Sequence, residues 1–256
     1  MQVYVAVTPD QTREVLPYTR ALAHVAYRIG PDSVLLRQNL PLRTSGGLLS
    51  ISDREAAVIQ DPDALCAAVL RECGRWSFSG AVLDLEEPVR RDRLVFAEKL
   101  GAALSKSRRT LFLPERYSSA AANAAVLVCT AVSGGSFTQF LQEQVQARGG
   151  PSRIALDVQR LRMDLALPAR SGEGTPLSGE ALRQLMDREE PQVFFSPELC
   201  ARYFTYVRDG EAHFVLFDDA DTLGQKVKIG AAMGIPAAFF MWPEIRDIAA
   251  KMDWRH

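Results

Sequence analysis

The sequence predicts an α/β fold in which parallel strands alternate with helices and close into a single (β/α)8 barrel. Short β-rich runs alternate with amphipathic helical stretches along the chain, which is the pattern of βαβ units. Roughly eight β segments can be counted, and 256 residues is a usual length for one such barrel. No GxGxxG motif follows a strand, which argues against an open dinucleotide-binding sheet.

The first half of the chain begins with a predicted strand at residues 3–7. An apolar stripe through Val15, Thr19, Leu22 and Ala26 then predicts a helix. Residues 25–38 are predicted to hold a strand and a hairpin around the turn signal at 30–32. Further strands are predicted at 47–52, 80–87 and 110–114, with helices at 63–73 and 90–106 between them.

The second half continues the alternation and adds a hairpin. Strands are predicted at 201–208 and 212–217 because they flank Asp209-Gly210, a hairpin turn signal. This hairpin is predicted to be an insertion before the seventh strand of a TIM-type barrel, and the whole chain, 1–256, is predicted to be one domain. The remaining strands are predicted at 125–132, 153–158 and 237–242, and helices near Phe137 and Leu182 and at 221–233.

Composition excludes several classes of protein. Apolar residues make up 47% of the chain, charged residues 24%, and the formal net charge is -1. No basic stripe interleaved with aromatic residues is present, so a nucleic-acid partner is not expected. No apolar stretch is long enough to span a membrane, and no export signal is recognised, so the protein is expected to be cytoplasmic. The four cysteines show no CxxC spacing, which predicts neither a metal site nor a disulfide framework, and no cofactor is expected.

Residues 80–88, GAVLDLEEP, carry the most information about function. Side chains alternate between the two faces of a strand, so one face is apolar and the other ends in Asp84 and Glu86. Two acids on one side of a buried strand must be solvated, paired or protonated. The segment predicts either a carboxylate pair at the mouth of a parallel barrel, or a strand that runs into solvent or a helix N-terminus near Pro88.

Two segments resemble glycoside hydrolase family 18. Residues 78–87, FSGAVLDLEE, are similar to its catalytic strand, whose motif reads DGxDxDxE. The chain from Pro191 onward resembles the end of the spore-type branch, the cortex-associated N-acetylglucosaminidases. The matching features there are an aromatic strand with Phe204 and Tyr206, the turn Asp209-Gly210, the strand 213–219, the helix 222–226 and a final strand that ends at Trp242.

The resemblance implies a substrate and a set of roles. The substrate would be an N-acetylglucosamine-containing glycan such as peptidoglycan or a chitin-like chain, and the process sporulation. Glu86 would be the general acid, and Asp84 would orient the substrate's acetamido group, which attacks the anomeric carbon in place of an enzyme nucleophile. Trp242 would form the floor of the sugar subsite, with a place in the last layer of the core as the alternative. Asp157 would match the Asp of a Met-x-Tyr-Asp stretch on the family's sixth strand.

Two further candidates come from position alone. Glu115 and Tyr117 follow a predicted strand and are expected to face the same barrel mouth, where they would contact either sugar or solvent.

The sequence also departs from the family pattern. Ser79 and Val82 stand where the motif has its first and second Asp, and no Tyr occurs in 154–164. Three hypotheses therefore stay open. The first is a glycosidase, weak in activity if these losses matter. The second is a catalytically inactive barrel that binds glycan or a protein partner, and the third is an unrelated barrel lyase or isomerase. The oligomeric state is not predicted.

Overall fold

The protein folds as a closed barrel of eight parallel strands, as the sequence predicts. The computed structural model describes residues 1–38, 44–56, 58–168 and 174–254. Each barrel strand pairs with the next, and the first also pairs with the last, so the sheet has no open edge in the barrel. In barrel order the strands are β1 (Gln2–Val7), β2 (Leu22–Ile29), β4 (Leu48–Ser52), β5 (Gly80–Asp84), β6 (Thr110–Pro114), β7 (Ala125–Cys129), β8 (Ile154–Asp157) and β14 (Ala237–Met241). A further short strand, β3 (Leu35–Arg37), lies outside the barrel and pairs antiparallel with β2.

Alternation along the strands separates the barrel interior from the outer core. The interior is filled by small residues such as Ala23 and Ala155 together with the larger Val82, Phe112 and Phe239. The opposite faces of the strands pack against the helices. The helices are α1 (Thr12–Val15), α2 (Pro62–Trp76), α3 (Arg91–Lys106), α4 (Phe137–Ala147), α5 (Gly179–Glu189), α6 (Ala220–Ala232) and α7 (Trp242–Ile245).

The helix predicted through Val15, Thr19, Leu22 and Ala26 is wrong. Helix α1 ends at Val15, and Leu22–Ile29 is the second barrel strand. The 3.6-residue stripe was fortuitous: β2 is buried on both faces, so its nearly continuous apolar run also satisfies helical spacing. Pairing with β1 on one side and β4 on the other decides the outcome.

The predicted hairpin exists, but it follows the seventh barrel strand and belongs to a second sheet. Asp209 and Gly210 both have positive φ, as a two-residue hairpin turn requires. The correction in position follows from β2, which moves each later strand up by one in the count. The second sheet is antiparallel, in the order β10 (Thr175–Pro176), β9 (Arg162–Leu167), β13 (Glu211–Phe217), β12 (Ala201–Arg208) and β11 (Phe194–Ser196), and α5 packs on one of its faces.

A buried ion pair joins this second sheet to the barrel helix α6. Asp218 and Lys226 are both fully buried, and their charged atoms lie 2.7 Å apart. Asp218 also accepts hydrogen bonds from the backbone N–H of Leu161 at 2.9 Å and from the hydroxyl of Thr222 at 2.8 Å. Asp218 therefore connects the point where the chain enters the second sheet to the point where it leaves. Helix α6 itself is capped by Asp219.

Within the described part of the chain, no helix has both the length and the apolar character needed to cross a bilayer. All four cysteines lie among the described residues and all are free thiols.

Candidate active site

A cavity of about 690 Å³ opens at the end of the barrel where the parallel strands terminate. In barrels of this type, this face carries the catalytic residues. Four predicted site residues line the cavity together: Asp84, Glu86, Glu115 and Asp157. Its floor is formed by interior residues that include Ala23, Val82 and Phe239.

Strand β5 positions Asp84 and Glu86 as the alternation predicts. A Cβ atom at Gly80 would lie 2.1 Å from the carbonyl oxygen of Thr110, so only glycine allows β5 to start this close to β6. Leu83 and Leu85 point into the outer core and are almost fully buried. Asp84 and Glu86 consequently point to the cavity. The helix-cap alternative fails, because α3 begins only at Arg91.

Asp84 lies in an environment that disfavours its charge. Its side chain forms no hydrogen bond or ion pair with any described residue. Burial raises the pKa of the Asp84 carboxyl above its usual value, and the negative charge of Glu86 acts in the same direction. Arg54 opposes this effect in part. Asp84 thus retains a proton to higher pH than an exposed aspartate does.

Asp157 faces the same cavity from the end of β8. Burial raises the pKa of its carboxyl, and a hydrogen bond of 2.6 Å from the side-chain amide of Gln159 opposes the rise. The mouth therefore contains two carboxyls that are costly to ionise, on opposite parts of the barrel wall. Such groups mark candidate sites for proton transfer.

The other two acids at the mouth are ion-paired. Arg54 donates to a carboxylate oxygen of Glu86 at 2.7 Å, and both side chains are at least half exposed. Glu115 pairs with Arg148. An exposed ion pair contributes at most about 1 kcal/mol, so a ligand can displace Arg54 from Glu86 at low cost. The side chain of Arg148, in contrast, is largely buried.

Val82 occupies the barrel interior directly before Asp84 on the same face of β5. It packs with Phe112 and Phe239 and is almost completely buried. A carboxylate there would be surrounded by apolar side chains. The substitution of the family's Asp by Val thus belongs to an apolar filling of the barrel beneath the carboxyls.

The barrel count corrects the expected match for Asp157. Strand β8 is the seventh barrel strand, whereas the stretch Met-x-Tyr-Asp belongs to the family's sixth. The sixth strand here is β7, with sequence AVLVC, and it ends at the cavity with Cys129. Strand β7 contains no tyrosine either, so the tyrosine of the family motif has no counterpart on the sixth strand. Asp157, on the seventh strand, does not match the Asp of that motif. The error has the same origin as the shifted hairpin. The strand and hairpin predicted in 25–38 exist as β2 and β3, but the helix was extended into the start of β2 and this strand was left out of the barrel count.

Trp242 lies outside the cavity. On β14, Phe239 and Met241 line the mouth, whereas Phe240 points to the outer core. Trp242, the first residue of α7, lies in the same outer core. Trp242 is 2% exposed, and its indole N–H donates to a carboxylate oxygen of Glu14 at 3.0 Å. The alternative reading, a place in the last core layer, is therefore correct.

Tyr117 also points away from the mouth. It ends a short 3₁₀ turn that begins with Glu115, and residues two apart in such a turn point in different directions. Glu115 reaches the cavity, while Tyr117 is fully buried in the outer core beside α3. Tyr117 is not a sugar contact in this structure.

Several residues of the site were not predicted from the sequence. Ser50, Cys129 and Gln159 line the cavity from or just beyond the ends of strands, and Arg116 lies at its rim. The signal that could have found them is their place at the carboxyl end of a predicted strand, which the sequence gives to within two or three residues. Arg54 lies two residues past the predicted strand 47–52, so the same signal covers it, but only the fold shows that it pairs with Glu86.

Solved structures with similar folds include spore cortex-lytic enzymes and chitinases. The Bacillus cereus spore cortex-lytic enzyme SleL has a TM-score of 0.65 and 15% identity, with 98% of this chain and 74% of that chain covered. A chitinase from Chromobacterium violaceum has a TM-score of 0.66 and 15% identity, covering 95% and 94%. A GH18 chitinase from Cycas revoluta, solved in complex with (GlcNAc)3, has a TM-score of 0.65 and 14% identity, covering 98% of both chains.

The fold is the TIM barrel of these enzymes. No family model and no curated protein sequence matches the chain. The solved structures that share this fold include a GH18 chitinase and a spore cortex-lytic enzyme.

Replacing Asp84 with Asn should stabilise the protein at neutral pH. The folded-state pKa of Asp84 is raised, so the folded protein favours the neutral carboxyl. The stability that this group contributes is fully present below its unfolded-state pKa of about 3.9. It is lost as the pH rises through the folded-state pKa and the carboxyl ionises. Asn removes this loss. We expect Tm at pH 7 to rise by about 2–4 °C, the shift that about 1 kcal/mol produces in a domain of this size.

The control for this comparison is Asp187→Asn, at an exposed position of α5. Scanning calorimetry from pH 7 down to pH 4 should show the advantage of Asp84→Asn shrinking as the pH falls, with no comparable trend for Asp187→Asn. A variant that is less stable than the wild type at pH 7 would contradict the assignment of a costly charge to Asp84.

Proposed function

We propose that the protein is a glycoside hydrolase that acts on N-acetylglucosamine-containing glycan, with Glu86 as general acid and base and Asp84 as the residue that orients the acetamido group. One observation carries the proposal. Asp84 and Glu86, in the positions of the last two acids of the family motif, lie at the end of one barrel strand and open into the cavity at the barrel mouth. A single acid elsewhere on the barrel surface would not support a role in glycoside hydrolysis.

The proposed reaction follows a substrate-assisted, retaining route. The acetamido carbonyl oxygen attacks the anomeric carbon, the bond to the leaving oxygen breaks, and the carboxyl of Glu86 gives its proton to that oxygen. Water then attacks the anomeric carbon of the cyclic intermediate, the bond from that carbon to the acetamido oxygen breaks, and the carboxylate of Glu86 takes a proton from the water. Alternate side chains on a strand lie about 7 Å apart, so Asp84 can reach the acetamido group while Glu86 reaches the leaving oxygen.

The remaining groups at the mouth suit a polar ring ligand. Asp157 and Glu115 supply acceptors for sugar hydroxyls, and Gln159 supplies an amide. A cavity of about 690 Å³ is within the usual range for small-molecule sites. Glu86 must leave Arg54 to act, and the exposure of that ion pair makes the exchange inexpensive.

Slow turnover is part of the proposal. Among the described residues that line the cavity there is no tyrosine, and Val82 replaces the acid beneath the pair. Loss of one positioned hydrogen-bond donor commonly lowers kcat by about 10²–10³-fold. The same two observations favour a second candidate function, a barrel that binds the glycan without cleaving it.

We further propose peptidoglycan or a chitin-like chain as the substrate class and the cytosol as the site of action, as sporulation in a mother cell would allow. Four free thiols support a reducing compartment. The substrate class rests on the resemblance of the chain to spore-type enzymes and on the names of the structural neighbours.

The test is a comparison of sugar classes with the wild-type protein. The cleavage assay compares the release of a fluorophore from an N-acetylglucosamine trimer with its release from a matched glucose trimer, from pH 4 to 8. Calorimetry then measures the binding of both trimers without the fluorophore. Cleavage restricted to the acetamido sugar supports the hydrolase. Saturable binding of that sugar without cleavage replaces the hydrolase with the binding function. Absence of both cleavage and binding overturns both candidates.

A further inference from the structure

We infer that Asp53, together with Arg93, is a positioning residue that holds the backbone from which Glu86 projects. This inference rests on the proposed role of Glu86. Asp53 immediately follows β4, the strand beside β5, and its side chain is completely buried. No motif points to it, and it does not line the cavity.

One oxygen of Asp53 binds two consecutive backbone groups. Its Oδ1 accepts from the N–H of Glu86 at 2.8 Å and from the N–H of Glu87 at 3.3 Å. The regular pairing of β4 with β5 ends at Ser52 and Asp84, so these bonds extend the connection beyond the last paired residues. Among the described residues, the backbone of Glu86 has one other hydrogen bond, of 3.0 Å, from the exposed guanidinium of Arg116 to its carbonyl oxygen. Asp53 therefore provides the buried restraint on this segment.

Arg93 supplies the countercharge from α3. Its side chain is 1% exposed, and its Nε lies 3.5 Å from Oδ2 of Asp53. Its Nη2 donates to the carbonyl oxygen of Ala56 at 3.0 Å, and the N–H of Ala56 in turn donates to the carbonyl oxygen of Asp53 at 2.9 Å. The arginine thus fixes both the carboxylate and the turn that follows β4.

The pair is incompletely satisfied, which argues that stability alone does not account for it. Neither Oδ2 of Asp53 nor Nε of Arg93 has a hydrogen-bond partner among the described residues, and 3.5 Å with this geometry is an ion pair without a hydrogen bond. Burying two charges in this way often gives no more stability than apolar residues of similar volume would. What an apolar side chain could not do is accept two adjacent N–H groups at the exit of β5.

The matched variants are Asp53→Asn and Asp53→Ala. Asn keeps an oxygen of the same reach, so it should preserve the restraint, whereas Ala removes it. For Asp53→Ala we expect loss of hydrogen-exchange protection at the amides of Glu86 and Glu87. We also expect a fall in kcat of about 10²-fold, the cost of a misplacement of about 1 Å, with KM for the acetamido trimer changed little. Asp53→Asn should recover both protection and most of kcat.

Two design features keep the test decisive. Arg93 also pairs with Asp92. If Asp53→Ala does not fold because Arg93 loses one of its two carboxylate partners, the double variant Asp53→Ala with Arg93→Met removes the buried Asp53–Arg93 pair and carries the same measurement. Asp92 then keeps Arg90 and the N–H of Ile59 as partners. Wild-type exchange rates at both amides in either variant that lacks the acceptor would overturn the inference. The exchange measurement needs no substrate, so a wild-type protein without turnover would refute the proposed function while leaving the restraint by Asp53 measurable.

Discussion

Glu86→Gln should reduce cleavage of an N-acetylglucosamine trimer by about 10²–10⁴-fold, the range that a positioned proton donor contributes. Glutamine has nearly the same shape as glutamate but carries no acidic proton to give to the leaving oxygen. Binding of the trimer should change little, because Asp84, Asp157 and Glu115 still line the cavity. The fold should also be unaffected, since the ion pair with Arg54 that disappears is exposed.

Glu87→Gln is the control for this experiment. The two glutamates are adjacent and both backbone N–H groups bind Asp53, but only Glu86 lines the cavity. Stopped assays with the fluorogenic trimer at pH 5–7 should show Glu87→Gln close to the wild type. Equal loss in both variants would place the effect in the backbone of the segment. Unchanged cleavage in Glu86→Gln would move the acid to another carboxyl of the mouth, for which Asp84 and Asp157 are available.

Much of the fold could be predicted because it depends on patterns that are local in the sequence. The alternation along 80–86 indicated correctly which side chains of β5 face the helices and which face the mouth. The turn at Asp209-Gly210 was equally clear. The pattern failed at Leu22–Ile29, because a strand that is buried on both faces has no polar alternation to distinguish it from a helix.

The candidate site was predicted only in part, for a similar reason. The alternation along a predicted strand gave the correct side-chain direction for Asp84 and Glu86. Trp242 and Tyr117 were placed wrongly because they lie one and three residues past the end of the regular strand, where the side-chain direction depends on the turn that follows. Asp53 and Arg93 were missed because they are 40 positions apart in the numbering and meet only through the packing of α3 on the barrel.

Lys226→Met should cost about 3–5 kcal/mol of the free energy of unfolding, the usual effect of removing one partner from a buried ion pair. Methionine fills a similar volume, so the loss comes from the charge of Asp218 and not from a cavity. Asp218 is fully buried and, among the described residues, would keep only its bonds from the N–H of Leu161 and the hydroxyl of Thr222. Urea denaturation monitored by circular dichroism measures the change, provided that the transition is two-state.

Lys228→Met is the control, because it lies on the same helix two residues further on and is exposed. It should change stability by no more than about 0.5 kcal/mol. Adding Asp218→Asn to Lys226→Met should recover part of the loss, since no unpaired charge then stays buried. Failure of this recovery would show that Lys226 contributes by packing, for example against the ring of Phe137, 5.6 Å from its ammonium group.

In Lys226→Met the second sheet should be destabilised first, because Asp218 joins its entry at Leu161 to its exit into α6. Hydrogen exchange should therefore rise in β9 and β13 before it rises in the barrel strands.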